Sequence, residues 1–121
     1  MTTHVAAVTL DCANALTVAE FWSAVLGRPI VSGEPAASPF FARIAASDGD
    51  HPSPMMMFIQ VPESKTVKNR MHLDLGTDNR EAEIERLVGL GATRIHDKEE
   101  WGVQWTTLSD PEGNEFCIAE H

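Results

Sequence analysis

The sequence is short of basic residues. It has nine Lys and Arg against 18 Asp and Glu, and its formal net charge is -9 at pH 7. This excess of negative charge argues against binding to nucleic acid or to an anionic membrane surface, because both are themselves negatively charged. Long apolar runs are also absent, since none approaches the roughly 18 residues of a membrane span. We therefore expect neither nucleic acid nor a membrane as a partner.

Cysteine is equally scarce. Cys12 and Cys117 show no disulfide-framework spacing, so we expect both thiols to stay reduced, and small buried side chains are their simplest interpretation. Residues 1–6 lack the charged and apolar regions of a secretory signal. Together these absences predict a cytoplasmic protein.

What the sequence does contain is a pattern that occurs twice. In the first half, Thr17 and Glu20 have the spacing of a capping box. An amphipathic helix with apolar residues at i, i+3, i+4, i+7 and i+8 follows, and Gly27 is its expected end. Alternating or apolar segments predict four strands in this half: His4–Leu10, Pro29–Ser32, Phe40–Ala46 and Met55–Val61.

The second half repeats this order. Asp78 and Glu81 have the spacing of a helix cap, and Gly91 is the expected end of the helix. The predicted strands are Arg70–Leu75, Thr93–His96, Val103–Leu108 and Glu115–Ala119. At 121 residues the chain is long enough for one domain, and the order βαβββ twice indicates an α+β fold made by duplication. We predict module one at 1–62, a polar linker at 63–68 and module two at 69–121.

The strand faces predict where a ligand would bind. Period two separates an apolar face, expected to carry the helices, from a face that mixes polar and aromatic side chains. A sheet with one solvated face is the alternative. The predicted ligand-binding residues are Phe58, Gln60, Arg70, His72, Asp74, Trp105 and Cys117.

Four segments together resemble one superfamily. They are Phe21-Trp-Ser-Ala-Val-Leu-Gly27, Lys68-Asn-Arg-Met-His-Leu-Asp-Leu75, Leu90-Gly-Ala92 and Asp110-Pro-Glu-Gly-Asn114. With the paired βαβββ layout, they resemble the vicinal oxygen chelate superfamily, and within it the glyoxalase-like group. The resemblance implies an eight-stranded, cup-like mixed sheet with two outer helices, in a homodimer. It also implies that catalytic members hold a divalent metal in the cup.

The ligand positions of such a metal carry over poorly to this chain. By the resemblance they fall on Ala7, on or near Gln60, on His72 and on Cys117, and only His72 is of the expected type. We therefore predict a degenerate metal site and no required cofactor. A divalent metal, most suitably zinc on His72, Gln60 and Cys117, remains the alternative.

Two of the candidate residues have ordinary interpretations as well. His72 is the candidate catalytic residue, but it could simply pair with Asp74. Arg70 could bind a substrate carboxylate or form an ordinary ion pair.

Three functions remain open from the sequence. The first is a metal-free small-molecule-binding protein, which the missing ligands favour. The second is a metal-dependent lyase, isomerase or dioxygenase with an atypical site. The third is a metal-independent acid–base enzyme that uses His72.

Overall fold

The computed structural model describes residues 2–120. The chain divides into two compact units between Ser64 and Lys65, which we call unit 1 and unit 2. Unit 1 contains β1 (Ala7–Cys12), α1 (Ala15–Leu26), β2 (Phe41–Ile44) and β3 (Met55–Gln60). Unit 2 contains β4 (Asp74–Thr77), α2 (Arg80–Leu90), β5 (Thr93–Glu100), β6 (Val103–Ser109) and β7 (Glu115–Glu120).

Unit 1 is a three-stranded mixed sheet with one helix against it. The strand order is β1-β3-β2, with β1 parallel and β2 antiparallel to β3. The helix α1 contacts β2 and β3. The fully or nearly buried side chains of this layer are Val18, Ala19, Phe21, Trp22 and Val25 from α1, with Ala42, Ile44, Met56 and Phe58 from the sheet.

The ends of α1 explain its length. The Asn14 side chain accepts a hydrogen bond from the Thr17 N–H at 3.1 Å, so Asn14 is the N-cap. The predicted cap at Thr17 is therefore wrong, because Thr17 already lies in the first turn. Gly27 ends the helix as predicted, with a left-handed φ of 64° that glycine adopts without steric cost.

Unit 2 is a four-stranded mixed sheet with α2 against it. The order is β4-β7-β6-β5, with β4 parallel to β7 and the other pairs antiparallel. The core between helix and sheet is formed by Ile84, Leu87, Leu108, Phe116 and Ile118. Asn79 caps α2 through the Ala82 N–H at 3.1 Å, so the predicted cap at Asp78 is wrong by one residue.

A network of polar side chains joins α2 to the same face of the sheet. The Arg80 guanidinium donates to the buried Thr106 hydroxyl at 2.8 Å, and that hydroxyl donates to Asp97 at 2.9 Å. Arg94 then bridges Asp97 to Glu81 of α2. This network satisfies the one hydroxyl that β6 places in the apolar layer.

The α+β class and the two-module organisation are confirmed, with differences at particular strands. Seven strands are present among residues 2–120, because the Pro29–Ser32 segment contributes only the isolated bridge of Ile30 with Ile44. The strand predicted at Arg70–Leu75 begins only at Asp74, the first residue of this segment that pairs with β7. Neither α1 nor α2 is long and apolar enough to cross a membrane.

Candidate functional site

The turn before β7 is held by a buried carboxylate. Asp110 is 2% exposed and accepts hydrogen bonds from the backbone N–H of Glu112 at 2.9 Å and of Asn114 at 3.0 Å. Its second oxygen accepts from the Asn114 side chain at 3.1 Å. Gly113 has a φ of 91°, a conformation that favours glycine. The turn thereby fixes the direction in which the chain enters β7.

The strand β7 brings Cys117 between two polar neighbours. Cys117 is the register partner of Asp74 in parallel β4 and of Thr107 in antiparallel β6. Register partners project from the same face of a sheet. That face is opposite to the one carrying Phe116 and Ile118, which lie in the core with α2. We call the face of Asp74, Thr107 and Cys117 the open face of unit 2.

Three side chains with metal-ligating or acid–base chemistry converge on this open face. The ligand atoms of His72, Asp74 and Cys117 all lie within 4.8 Å of one another. The His72 Nδ1 atom is 3.3 Å from Asp74 Oδ1, and the two side chains are 40% and 68% exposed. Cys117 is buried at 7% exposure, and its sulfur lies 3.5 Å from the Thr107 hydroxyl oxygen. We call these three residues the His72 cluster.

The environment of Cys117 keeps its thiol protonated. Burial raises the pKa of Cys117 above its ordinary value, and the Asp74 carboxylate acts in the same direction. The hydrogen bond with Thr107 and the charge of Lys68 oppose this rise in pKa without cancelling it. Because the thiolate is the nucleophile and the metal ligand, the thiol alone is a poor nucleophile at neutral pH. A bound cation would have to displace its proton.

The donor set of the cluster suits zinc. A thiolate, an imidazole and a carboxylate are all ordinary zinc ligands, and three protein ligands leave a fourth position open. The 3.3 Å separation of His72 Nδ1 and Asp74 Oδ1 also matches the edge of a zinc tetrahedron with bonds of about 2.0–2.1 Å, which is about 3.3 Å. The residues present therefore fit a zinc ion held entirely by unit 2.

Glu115 is on the same face but is already engaged. Its carboxylate accepts from the Asn69 backbone N–H at 3.0 Å and pairs with Lys65 at 3.0 Å. Burial acts to raise the pKa of Glu115, but these two donors outweigh it and hold that pKa below its usual range. Glu115 is thus a structural anchor for the segment before β4, and it does not supply a fourth ligand to the cluster.

Two tryptophans lie farther along the open face. Trp105 is two residues before Thr107 on β6 and is half-buried. Its ring stacks on Trp101, with centroids 6.2 Å apart and planes inclined by 13°. Trp101 is 88% exposed and occupies the β5–β6 hairpin turn with Gly102, at φ values of 52° and 76°. Positive φ at both positions is typical of a type I′ hairpin.

The structure places the remaining predicted residues elsewhere. Phe58 and Gln60 were predicted on the face opposite the helices, and this assignment is wrong, because they pair with Leu10 and Cys12 on the face that carries α1. Phe58 is fully buried in the layer with α1, and the Gln60 amide donates to the Ala13 carbonyl at 3.0 Å. Ala7 and Thr9 instead share their face with Met55 and Met57. Arg70 is exposed and precedes β4.

Two residues near the cluster were missed from the sequence. Thr107 was not singled out, although its position ten residues before Cys117 across the Asp-Pro-Glu-Gly-Asn turn makes the two register partners. Asn69 lies in the Lys68–Leu75 segment, where no local signal marks its role, and its two bonds to Glu115 fix the segment that carries His72. Counting residue pairs outward from the turn between β6 and β7 places Thr107 opposite Cys117, so the sequence did contain a signal for Thr107.

Comparison with solved structures shows the same fold. A glyoxalase/bleomycin resistance/dioxygenase family enzyme from Burkholderia phytofirmans is 21% identical, with a TM-score of 0.71 over 95% of this chain and 96% of the other. The bleomycin-binding protein of Streptomyces verticillus, complexed with copper(II)-bleomycin, is 15% identical, with a TM-score of 0.63 over 100% and 99%.

A third structure is similar in fold and contains a metal. It is a mutant fosfomycin resistance protein from Listeria monocytogenes, complexed with Mn(II) and 1S,2S-dihydroxypropylphosphonic acid. It is 10% identical, with a TM-score of 0.74 over 98% of this chain and 90% of the other. Identities this low support the fold alone.

Comparison of sequences identifies the family. No curated protein sequence matches this chain significantly. The model of the glyoxalase-like domain family matches residues 7–119. This match includes all four segments that carry the resemblance, from Phe21 to Asn114. The chain therefore belongs to the glyoxalase-like domain family of the vicinal oxygen chelate superfamily.

Proposed function

We propose that this protein binds a small molecule on the open face of unit 2, through the His72 cluster and Trp105, without requiring a metal. The observation that carries the proposal is the juxtaposition of an exposed imidazole–carboxylate pair with a buried, protonated thiol on one sheet face. Such a face offers hydrogen-bond donors and acceptors beside an aromatic surface, which is the usual composition of a small-molecule site.

The varied ligands of structurally similar proteins support this proposal. The Streptomyces verticillus protein is named for binding bleomycin, and the Listeria monocytogenes protein holds a phosphonic acid with its metal. Both are small molecules with several polar groups. The fold thus serves binding as well as metal chemistry, and the His72 cluster does not have to ligate a metal to be useful.

The test is saturable ligand binding by metal-free protein. Protein treated with EDTA is screened by thermal shift against small molecules, and hits are titrated while the tryptophan fluorescence is followed, with Trp105→Phe identifying the part that comes from Trp105. Binding that weakens about tenfold or more in His72→Ala or Asp74→Asn, as expected when a hydrogen bond to a charged group is lost, supports the proposal. Hits that bind equally well to both variants would contradict the assignment of this face.

A matched control is available in unit 1. His51 is exposed in the loop before β3 and forms no ion pair among residues 2–120. Replacement of His51 by Ala removes an exposed imidazole without touching the open face of unit 2. We expect ligand affinity to be unchanged in this variant.

The second candidate function is a zinc-dependent enzyme, which the 4.8 Å clustering of three zinc-type donors favours. A zinc ion there would supply Lewis-acid polarisation of a substrate oxygen. His72 and Asp74 would hold it from the exposed side and Cys117 from the buried side.

Cobalt(II) distinguishes this candidate from the first. Stoichiometric cobalt with an intense thiolate-to-metal absorption band that is lost in Cys117→Ser would establish the metal site. Cobalt binding without that band, or unchanged in Cys117→Ser, would exclude the thiol as a ligand. The band does not depend on finding a substrate.

Assembly and location remain predictions. We infer a homodimer from the family and cytoplasmic residence from the sequence, and light scattering and cell fractionation test each in turn. A monomer at micromolar concentration would contradict the homodimer. Recovery of the protein outside the cytoplasm would contradict the predicted location.

A further inference from the structure

An arginine of unit 1 lies on the sheet face opposite α1. Arg43 is central in β2, between Ala42 and Ile44, which are buried in the layer with α1. Strand side chains alternate, so Arg43 projects to the other face. Its cross-strand neighbour there is Met57, and Phe41 and Ile59 form the adjacent pair. All three of these neighbours are only partly exposed.

The guanidinium of Arg43 is incompletely bonded. One terminal nitrogen, Nη2, donates to the Glu34 carbonyl oxygen at 3.2 Å. The Nε atom is buried and has no hydrogen-bond acceptor among residues 2–120. Within the same residues, no carboxylate oxygen lies within 4.0 Å of Arg43. By contrast, Arg86 and Arg94 both pair with acidic side chains.

Arg28 provides an internal comparison. It also has a buried nitrogen without a partner, Nη1, but its Nη2 donates to the carbonyls of Ala45 and Pro54. Arg28 therefore ties together two backbone segments, which is a structural role. Arg43 has one carbonyl bond and projects among apolar side chains. The acidic residue on the same face, Asp11, is on β1, beyond β3 and opposite Ile59, and it forms no ion pair with Arg43.

We propose that Arg43 anchors the carboxylate of a small organic acid on this face of unit 1. A buried donor without an acceptor costs free energy, and a carboxylate matches the paired N–H groups on one edge of a guanidinium. Phe41 and Met57 lie beside Arg43 in position to contact an apolar part of the same ligand, and the Met thioether adapts to varied shapes. The inference rests on the proposed function only for its premise that the protein binds small molecules, and it uses no residue of the His72 cluster.

The test uses phenylacetate against its neutral analogue phenylacetamide. In the whole ¹⁵N-labelled protein, the Arg43 Nε–H signal is assigned by its loss in Arg43→Gln. We expect phenylacetate to shift that signal saturably and phenylacetamide to leave it unmoved. The Nε–H signals of Arg86 and Arg94, already paired with carboxylates, serve as controls and should stay in place.

Two variants make the outcome decisive. Affinity for phenylacetate should fall about tenfold or more in Arg43→Gln and less in Arg43→Lys, which keeps the charge but loses the paired donors. The backbone spectrum reports whether each variant is folded. Absence of a saturable shift at Arg43, an equal response to phenylacetamide, or unchanged affinity in folded Arg43→Gln would each overturn the proposal.

The result is separable from the proposed function. If phenylacetate shifts the Arg43 signal but no ligand binds at the His72 cluster, the inference about Arg43 stands and the proposed function of the His72 cluster is excluded. If ligands bind through His72 and Asp74 but phenylacetate does not shift the Arg43 signal, the proposed function stands and the inference about Arg43 is excluded.

Discussion

Asp74 and Cys117 are register partners in the parallel pair of β4 and β7, and this relationship places a carboxylate beside a buried thiol. The carboxylate disfavours the thiolate, as burial does, so the pKa of Cys117 is raised. The His72 cluster thus combines two side chains that solvent reaches, His72 and Asp74, with a thiol that is buried. This pair affects how Cys117 responds to high pH.

Alkaline stability should depend on Cys117. A group whose folded-state pKa is raised contributes stability that is fully present below its unfolded pKa and is lost as pH rises through the folded value. The ordinary thiol value is 9.0, so the loss should begin above about pH 9. Urea denaturation from pH 7 to 10.5 should show a smaller decline in Cys117→Ala than in the natural protein. Equal declines in both would contradict the assignment.

Acid stability should depend on Glu115. Its folded-state pKa is lowered from 4.5, so its contribution is present above that pH and is lost as pH falls through the folded value. Replacement by Gln should flatten the loss of stability below about pH 4.5. The control is Glu63→Gln, which removes an exposed carboxylate. If both variants follow the same acid profile, the bonds of Asn69 and Lys65 to Glu115 do not stabilise the fold.

The turn before β7 should be sensitive to Asp110. Replacement by Ala leaves the Glu112 and Asn114 N–H groups without their acceptor, and we expect a loss of about 2–4 kcal/mol in unfolding free energy. Asp110→Asn should cost less, because it keeps one carbonyl oxygen. Asp50→Ala, at an exposed loop position, should change stability by less than about 0.5 kcal/mol. Chemical denaturation measures all three, and an Asp110→Ala value as small as the control's would be inconsistent with these bonds.

The Thr106 hydroxyl should matter more than its size suggests. Thr106→Val keeps the shape of the side chain but removes both the acceptor of Arg80 and the donor to Asp97. We expect a loss of about 1–3 kcal/mol, whereas Thr106→Ser should retain most of the stability. If Thr106→Val has the same free energy of unfolding as the natural protein, the hydrogen bonds of Thr106 to Arg80 and Asp97 do not stabilise the fold.

Replacement of the two members of the tryptophan stack should have different effects. Trp101→Gly relieves a left-handed φ, which costs about 1 kcal/mol for a side chain with Cβ, but it loses a stacked pair worth about 0.5–1.5 kcal/mol. Stability should therefore change little. Trp105→Ala loses the same stack with no backbone gain and should destabilise more. Thermal denaturation compares the two, and a larger effect at Trp101 would contradict this account.

The helices and turns could be predicted from sequence because their signals are local. Gly27 and Gly91 end the helices, and Asp110 to Asn114 form the turn, each through chemistry within a few residues. The caps were misplaced because Asn14 and Thr17, like Asp78 and Asn79, are alternative cap residues close together. Only the backbone geometry selects between them.

The faces of β3 could not be predicted for a different reason. Met55–Gln60 is apolar at nearly every position, so period two does not distinguish the face with α1 from the other. The pairing of Phe58 with Ala42 in β2, itself fully covered, settles which side is buried. The start of β4 at Asp74 depends likewise on where a distant strand, β7, can pair.

The strand orders β1-β3-β2 and β4-β7-β6-β5 share one property. In each unit, the strand that is last in sequence is an interior strand of the sheet. During synthesis, β1 and β2 therefore have no common partner until β3 leaves the ribosome, and β4 waits in the same way for β7. Each unit should complete its sheet only after its final strand emerges, and truncation within β7 should separate β4 from the β5–β6 hairpin.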